Sequence, residues 1–242
     1  MPPEPDRRDS PGREPARQST PPPAGDPIAT QAQQPLQEAR EAPSQLPRDL
    51  APLATNLAEL RAGVAACRAC KLCETRTNTV FMDGSPNARV MFIGEGPGYQ
   101  EDVQGVPFVG PPGQLLTDII QKGMGLRRAD VAITNVVKCR PPENRDPSDE
   151  EMALCSPWLD RQIDLVAPEI IISLGPNASG HILGVTASMG RLRSQIHDRG
   201  PIKIVPTFHP SYLLRAPEMK KESWKDIQLA MRVLGLDLPG KA

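Results

Sequence analysis

Short apolar runs alternate with segments of helical spacing along most of the chain, and this alternation predicts an α/β fold. The runs ARVMFIGE, DVAITNVVK, EIIISLG and IKIVPTFHP are typical of buried strands. Apolar residues at helical spacing mark LATNLAELRAGVAAC, GQLLTDIIQKGMG, PSDEEMALCSPWLDRQIDLVAP and ESWKDIQLAMRVLG. Strands separated by helices form parallel sheets covered on both faces. The pattern therefore predicts a three-layer α/β/α domain around a central, mainly parallel four-stranded sheet.

The third helical segment carries its own start signal. Ser148 is a candidate N-cap, and Glu150 and Glu151 favour the first turn. Pro157 is the point at which this helix is expected to kink or divide.

Residues 1–52 differ in composition from the rest of the chain. They are rich in Pro, Gln and Ala and contain no aromatic residue, so they cannot bury enough apolar surface to offset the entropy of ordering. We predict a disordered, Pro-rich tail over residues 1–52 and one domain over residues 53–242. A tail that binds a replication or repair protein, with the PPP run as a polyproline contact, is the alternative.

Overall charge and hydropathy exclude few classes of protein. The net charge of -1 allows any partner, because a local basic face can exist within a neutral total. No apolar run approaches the roughly 18 residues of a membrane helix, and the first residues lack the apolar core of a secretory signal. We expect a cytoplasmic monomer without membrane attachment. The odd count of 5 cysteines argues against disulfides.

The cysteines form two separated pairs, Cys67 with Cys70 and Cys139 with Cys155. Thiolates presented in pairs from two distant segments can close a sulfur site around zinc or an iron–sulfur cluster, and the number of cysteines does not separate the two. Cys73 lies within reach of Cys67 and could compete with Cys70 as a ligand. Whatever the thiols hold lies beside the polar, basic stretch TNVVKCRPPENR.

Three loops that follow predicted strands have unusual sequences: GEGPGYQED, TNVVKCRPPENRDP and FHPSYLLR. Function collects at such strand ends in parallel sheets. GEGPG lacks the lysine of a P-loop, and Pro97 removes an amide, which argues against a nucleotide site. Gly94 and Gly96 instead let the backbone come close to a ligand. Glu95 and Glu101 are the acidic groups there, and solvated carboxylates on a glycine-rich turn are the alternative.

Three further side chains near these loops are candidates for ligand contact. Phe108, in GVPFVGPPGQLL, is either a core plug or a stacking platform for a flat ligand. Asn135 offers a donor and an acceptor, which suits a base edge with a carbonyl beside an N–H. His209 leaves a strand, a place suited to proton transfer or to stabilising a developing anion. A structural histidine is the alternative.

These motifs, interleaved with the cysteine pairs in this order, resemble the family 4 (type 4) uracil-DNA glycosylases, which carry a [4Fe-4S] cluster. The resemblance covers roughly residues 64–235 and leaves the N-terminal tail unmatched. It implies a uracil-DNA glycosylase-like fold and a base-excision repair enzyme that flips uracil out of DNA. Hydrolysis of the N-glycosidic bond would leave an abasic site, with no lyase step.

The resemblance also implies roles for single residues. Phe108 would stack on the flipped uracil, Asn135 would hydrogen-bond its O4 and N3–H, and His209 would hydrogen-bond its O2 as negative charge builds. Gly94 and Gly96 would belong to the uracil pocket. Related glycosylase families place an aspartate where this chain has Gly96, so Glu95 and Glu101 are the acidic groups that remain. Whether either of these two acts as a general base, or whether Glu95 mainly orders its loop, stays open.

The basic residues and the thiols are assigned in the same way. Contacts to DNA are expected from Lys138, Arg140, Arg145, Ser211 and Arg215, with Arg191 and Arg193 as weaker candidates and solvated charges as the alternative. The cluster ligands are expected to be Cys67, Cys70, Cys139 and Cys155, with Cys73 as a packed thiol; their spacing favours [4Fe-4S] over zinc. His181 and His197 are interpreted as structural.

Three other functions remain open on the sequence alone. A glycosylase that traps uracil-DNA covalently needs a histidine in the loop after the second strand, where CRPPENRDPSDE has none. A non-catalytic DNA-binding module would not need Asn135 and His209 at two strand ends. An iron–sulfur redox protein would be expected to carry a flavin or nicotinamide signature.

Overall fold

The computed structural model describes residues 47–238, which form a mixed sheet of six strands with helices on both faces. The strands are β1 (Asp83–Gly84), β2 (Val90–Gly94), β3 (Ala132–Asn135), β4 (Ile170–Leu174), β5 (His197–Arg199) and β6 (Ile202–Thr207). The α-helices are α1 (Pro47–Leu50), α2 (Leu57–Ala66), α3 (Leu72–Thr75), α4 (Tyr99–Gln104), α5 (Pro111–Asp118), α6 (Asp149–Val166), α7 (Pro176–Leu183), α8 (Met189–Leu192), α9 (Pro210–Arg215) and α10 (Lys220–Leu234). None of these helices combines the length and apolar content needed to cross a membrane. The predicted α/β/α class is confirmed.

The strand order is β1-β3-β2-β4-β6-β5. The four inner strands are the predicted ones, and they are parallel to one another. The prediction of four strands was wrong in number, because the sheet has one further strand at each edge. β1 pairs antiparallel with β3, and β5 pairs antiparallel with β6. These strands have 2 and 3 residues, too few to produce the alternation by which strands are recognised. His197 accordingly lies in the edge strand β5.

The sheet separates two hydrophobic cores. Met91 and Ile93 point to one face and pack with Trp158 of α6. Phe92, between them, points to the other face and packs with Met231 of α10. This alternation follows from the period of two in a strand. Burial on both faces explains why the inner strands read as continuous apolar runs.

Helix α6 begins as predicted and continues past its proline. The Ser148 hydroxyl accepts from the Glu151 amide, and the Glu151 carboxylate accepts from the Ser148 amide, which completes a capping box. Pro157 lies inside the helix without dividing it.

The folded domain starts earlier than the predicted boundary between residues 52 and 53. Helix α1 and a 3-10 turn at Ala51–Leu53 already belong to it, and Ala51 is fully buried. The rest of the predicted tail, residues 1–46, lies outside the described residues.

The register of the inner strands brings the predicted functional residues to one edge. Gly94 pairs with Asn135 at the ends of β2 and β3, and Leu174 pairs with Thr207 at the ends of β4 and β6. The loops that follow all four strands therefore leave the sheet on the same side, as expected for parallel strands.

Candidate active site

One cavity of about 850 Å³ opens at the carboxyl edge of the sheet. Its lining includes many of the residues proposed from the sequence, namely Glu95, Gly96, Glu101, Phe108, Asn135, Arg145, Ser211, Arg215 and His209. Such a volume suits a small organic ligand. The structure thus brings the loops that follow β2, β3 and β6 together at a single site.

Phe108 and Asn135 approach each other over Gly94. A Cβ atom on Gly94 would lie 2.5 Å from Asn135 Oδ1 and 2.5 Å from Phe108 Cζ, so only glycine fits there. Phe108 itself adopts a φ of 54°, which is uncommon for a side chain of its size. Its ring is 5% exposed and lies 5.7 Å from the His209 ring, centroid to centroid. The aromatic wall and the amide therefore share one corner of the cavity.

The Glu101 carboxylate fixes the loop that carries Phe108. Its Oε1 accepts from the amides of Val109, at 2.9 Å, and Gly110, at 2.8 Å. Charge-assisted bonds of this kind are strong. Glu101 is thus engaged by the backbone of the Phe108 loop, which suits a positioning role better than the activation of water that the sequence left open between Glu95 and Glu101.

Asn135 carries an unsatisfied acceptor. Its side chain is buried, at 1% exposure, and Oδ1 has no hydrogen-bond partner within the described part of the chain. A buried, unpaired acceptor costs about 1–3 kcal/mol. An N–H of a ligand bound in the cavity would remove that cost.

The protonation state of His209 follows from its contacts. Nδ1 accepts from the amide of Ser211 at 3.1 Å and lies 2.7 Å from the Ser211 hydroxyl. Because an amide can only donate, Nδ1 carries no proton and the neutral ring carries it on Nε2. Burial, assisted by the charge of Arg215, lowers the pKa of His209 to about 4, and Glu101 opposes this shift. The ring is therefore a neutral hydrogen-bond donor at physiological pH.

Glu95 shares the cavity with two residues that the sequence analysis missed, Asp146 and Asn177. Burial raises the pKa of Glu95; a hydrogen bond from Asn177 opposes the shift, and the charge and hydrogen bond of Asp146 add to it. Burial and the neighbouring Asp146 thus both favour the neutral form of Glu95. Asn177 follows β4, so the strand-end rule that found the other loops also pointed to it. Asp146 lies in the loop TNVVKCRPPENRDP, which the same rule had singled out, although the residue itself was not named.

The residues predicted to contact DNA differ in how free their side chains are. Arg215 is exposed on the cavity wall, whereas the Ser211 side chain contacts His209. Arg140 bonds the Asn144 side chain at 2.7 Å and stacks over Tyr99, while Arg145 forms a two-pronged pair with Glu151. Lys138 differs from all of these.

Lys138 is buried, and this contradicts its predicted contact with phosphate. The side chain is 1% exposed, and its ammonium bonds groups inside the protein. Burial lowers the pKa of Lys138 to about 7, and the charges of Cys155 and Cys139 oppose the shift. Arg193, a weaker candidate for DNA contact, is likewise occupied by Asp226 and Glu222.

All five cysteines are free thiols around one small second cavity of about 20 Å³, which Arg76 and Lys138 also line. Burial raises the pKa of Cys139 to about 11 and of Cys155 to about 12, and Arg76 and Lys138 respectively oppose these shifts. Arg76 Nη1 lies 3.1 Å from Cys139 Sγ. Within residues 47–238, no three His, Cys, Asp or Glu side chains form a group that could hold a single metal ion as they stand. Thiols converging beside two cations are nevertheless a donor set that fits a thiolate-bound cluster, in which each sulfur binds its own iron.

Comparison with known proteins agrees with this site. The model of the family "Uracil DNA glycosylase superfamily" matches residues 81–228. A type-4 uracil-DNA glycosylase of Sulfurisphaera tokodaii is 42% identical over 72% of this chain and 84% of its own length. One from Thermotoga maritima is 46% identical over 69% of this chain and 88% of its own length. A type-5 uracil-DNA glycosylase of Pyrobaculum aerophilum is 31% identical over 54% of this chain and 64% of its own length. The chain therefore belongs to the uracil-DNA glycosylase superfamily and, within it, to the type-4 uracil-DNA glycosylases.

Proposed function

We propose that this protein hydrolyses the N-glycosidic bond of uracil in DNA and leaves an abasic site, the first step of base excision repair. The observation that carries the proposal is the unpaired, buried Oδ1 of Asn135, which shares a cavity with the Phe108 ring and a neutral His209. An aromatic face, an amide and an imidazole donor match a flat base with adjoining carbonyl and N–H groups. The activity named for the type-4 relatives is the same.

Recognition would begin when the target nucleotide leaves the base stack, at a cost of roughly a few kcal/mol. Phe108 would stack on the uracil ring. Asn135 Oδ1 would accept from N3–H, and its amide nitrogen would donate to O4. Cytosine has an amine in place of O4 and no hydrogen on N3, so it would leave the amide mispaired and be rejected.

Bond cleavage would depend on His209. As the bond between N1 and C1′ breaks, its electron pair moves onto the uracil ring and negative charge grows on O2. The Nε2–H of the neutral imidazole would donate to that oxygen and stabilise the charge. The bonds from Ser211 to Nδ1 hold the ring in the required tautomer.

Water attack would depend on the pair of carboxyl groups of Glu95 and Asp146. An ionised carboxylate at this place would stabilise the positive charge that develops on the sugar. A water held by this pair would add its oxygen to C1′ and give its proton to the ionised carboxylate. We assign Glu101 the separate task of holding the Phe108 loop.

We propose that Cys67, Cys70, Cys139 and Cys155 hold a [4Fe-4S] cluster that stabilises the fold. The cluster would tie the segment between α2 and α3 to the chain after β3 and to α6. These four thiols line the same small cavity. Cys73 lines that cavity too and is assigned as a packed thiol. Iron analysis separates this cluster from zinc.

We place the enzyme in the cytoplasm as a monomer acting on uracil-containing DNA, since free thiols are typical of a reducing compartment. A repair or replication partner bound through residues 1–46 would be tested by comparing the full chain with one lacking them.

The assay for the main proposal uses an oligonucleotide with a single uracil. Incubation followed by alkali should cleave the strand at the uracil, because an abasic site is alkali-labile, and the matched oligonucleotide with cytosine should stay intact. Without alkali the uracil strand should also remain whole, as expected for an enzyme with no lyase step. Absence of any alkali-labile site would overturn the proposal. A protein–DNA adduct that survives denaturation would indicate that the protein traps uracil-DNA covalently and does not turn over.

Replacement of Gly94 tests the shape of the uracil pocket. In Gly94→Ala the new methyl would displace the Asn135 amide and the Phe108 ring from the positions they need. We expect kcat/KM on uracil-DNA to fall roughly tenfold or more, since small misplacements are costly in catalysis. The matched control is Gly190→Ala on α8, where the nearest atom to a new Cβ is 4.0 Å away. Equal activity of the two variants would contradict the pocket geometry.

A further inference from the structure

The ammonium group of Lys138 bonds three neutral acceptors inside the protein. Nζ lies 2.8 Å from Thr134 Oγ1, 2.6 Å from the carbonyl oxygen of Asn135 and 2.5 Å from Gln162 Oε1. Three acceptors require three N–H donors, and only the charged ammonium provides them. No acidic side chain in the described range forms an ion pair with it. A buried charge of this kind needs compensation from another source.

Lys138 also borders the thiols. Lys138 lines the cysteine cavity and directly precedes Cys139, one of the proposed cluster ligands. A cluster with four thiolate ligands has a net negative charge, which would supply the compensation that the neutral acceptors lack.

Lys138 also contacts Asn135, the residue proposed to recognise the uracil base. The carbonyl that Lys138 holds belongs to Asn135, at the last position of β3. Gln162 also donates to the carbonyl of Phe81, as does Thr134, so the Lys138 partners are fixed in turn. The network fixes the backbone of Asn135 from the side of the sheet opposite to the one on which Phe108 packs.

We infer that Lys138 is a positioning residue that links the cluster to uracil recognition: its buried ammonium balances the charge of the thiolates and holds the Asn135 backbone. This inference deepens the proposed function and rests on the proposed cluster. It also explains a basic residue in a DNA-binding motif that does not reach the surface. Loss of the cluster would leave the ammonium uncompensated, and uracil recognition would suffer without any change at the DNA surface.

The test is Lys138→Met, which keeps the apolar stem and removes the charge and the donors. The reduction potential of the cluster should move to a more negative value, because a nearby positive charge favours the added electron. We expect kcat on uracil-DNA to fall roughly ten- to a hundredfold. DNA affinity and its salt dependence should stay as in the wild type, since Lys138 makes no phosphate contact.

The matched control is Thr134→Val, which removes one acceptor of the same network and no charge. It should keep the wild-type potential. If Lys138→Met does not fold, Lys138→Gln carries the same comparison, because it is neutral but retains an amide donor. A charge-free variant with an unchanged potential, or with an unchanged kcat, would overturn the inference; so would a reduced salt dependence of binding. A wild-type protein without iron or absorbance near 400 nm overturns instead the proposed cluster, so the two failures are distinguishable.

Discussion

His209→Ala is expected to lower kcat for uracil release by roughly a hundred- to a thousandfold, the usual effect of losing one preorganised donor to a developing anion. The alanine cannot donate to uracil O2, and water admitted to the vacated space is not held in place. KM should change much less, because the bond matters most when the charge has formed. Single-turnover kinetics with excess enzyme give the chemical step directly.

The pH profile adds a second test of the same residue. Because the pKa of His209 is about 4 in the folded protein, against 6.5 for a free histidine, the ring stays neutral through pH 6.5. Between these values the unfolded chain binds a proton that the folded chain does not. The contribution of His209 to stability is therefore complete above pH 6.5 and is lost as the pH falls toward 4. Activity should show no histidine inflection near 6.5.

Ser211→Ala is the graded control. It removes the hydroxyl beside Nδ1 and keeps the backbone amide that defines the tautomer. We expect a smaller loss of kcat than for His209→Ala, with the same flat profile near pH 6.5. A His209→Ala enzyme within a factor of about three of the wild type would contradict a role in stabilising the leaving base, since losing such a donor costs far more.

Cys139→Ala should remove the cluster and destabilise the fold together. The sulfur is buried beside Arg76, and its loss opens the link between the Asn135 segment and the two other thiol segments. Loss of a bound metal group belongs to the largest single-residue effects, roughly 3 kcal/mol or more. For a domain of this size we expect the melting temperature to fall by roughly 10 °C.

Iron content, absorbance near 400 nm and a thermal melt measure this outcome. Cys73→Ala is the control, because it removes a thiol of the same cavity that is not assigned as a ligand. It should keep both the colour and the melting temperature. A folded, colourless and fully active Cys139→Ala protein would contradict the structural role of the cluster. A colourless Cys73→Ala protein would show that Cys73, and not Cys70, is the ligand.

The sequence predicted those parts of the fold that depend on local pattern. Gly94, Asn135 and His209 follow apolar runs long enough to be recognised as strands, and parallel pairing then placed them at one edge. The two edge strands at Asp83–Gly84 and His197–Arg199 could not be found in this way, because so few residues show no periodicity. Their pairing depends on neighbours that are distant in the chain.

Side-chain partners distant in the chain account for the errors at the site. Lys138 lies in a basic, proline-rich stretch that reads as an exposed loop, yet Gln162 of α6 accepts from it in the core. The contact between Glu95 and Asp146 joins two loops in the same way. Burial and pairing of this kind are decided by tertiary packing, which the local pattern does not encode.

The two walls of the cavity differ in how they are built. Phe108 is held by Glu101 and by the tight approach of Gly113, so its support comes from one short stretch of chain. The Asn135 carbonyl accepts from Lys138, which also bonds Thr134 of the same strand and Gln162 of α6. The stacking wall is thus a module that mutation can reshape while the sheet stays intact. Altered base preference should arise more readily there, whereas changes to the amide wall would have to be accepted by the whole core.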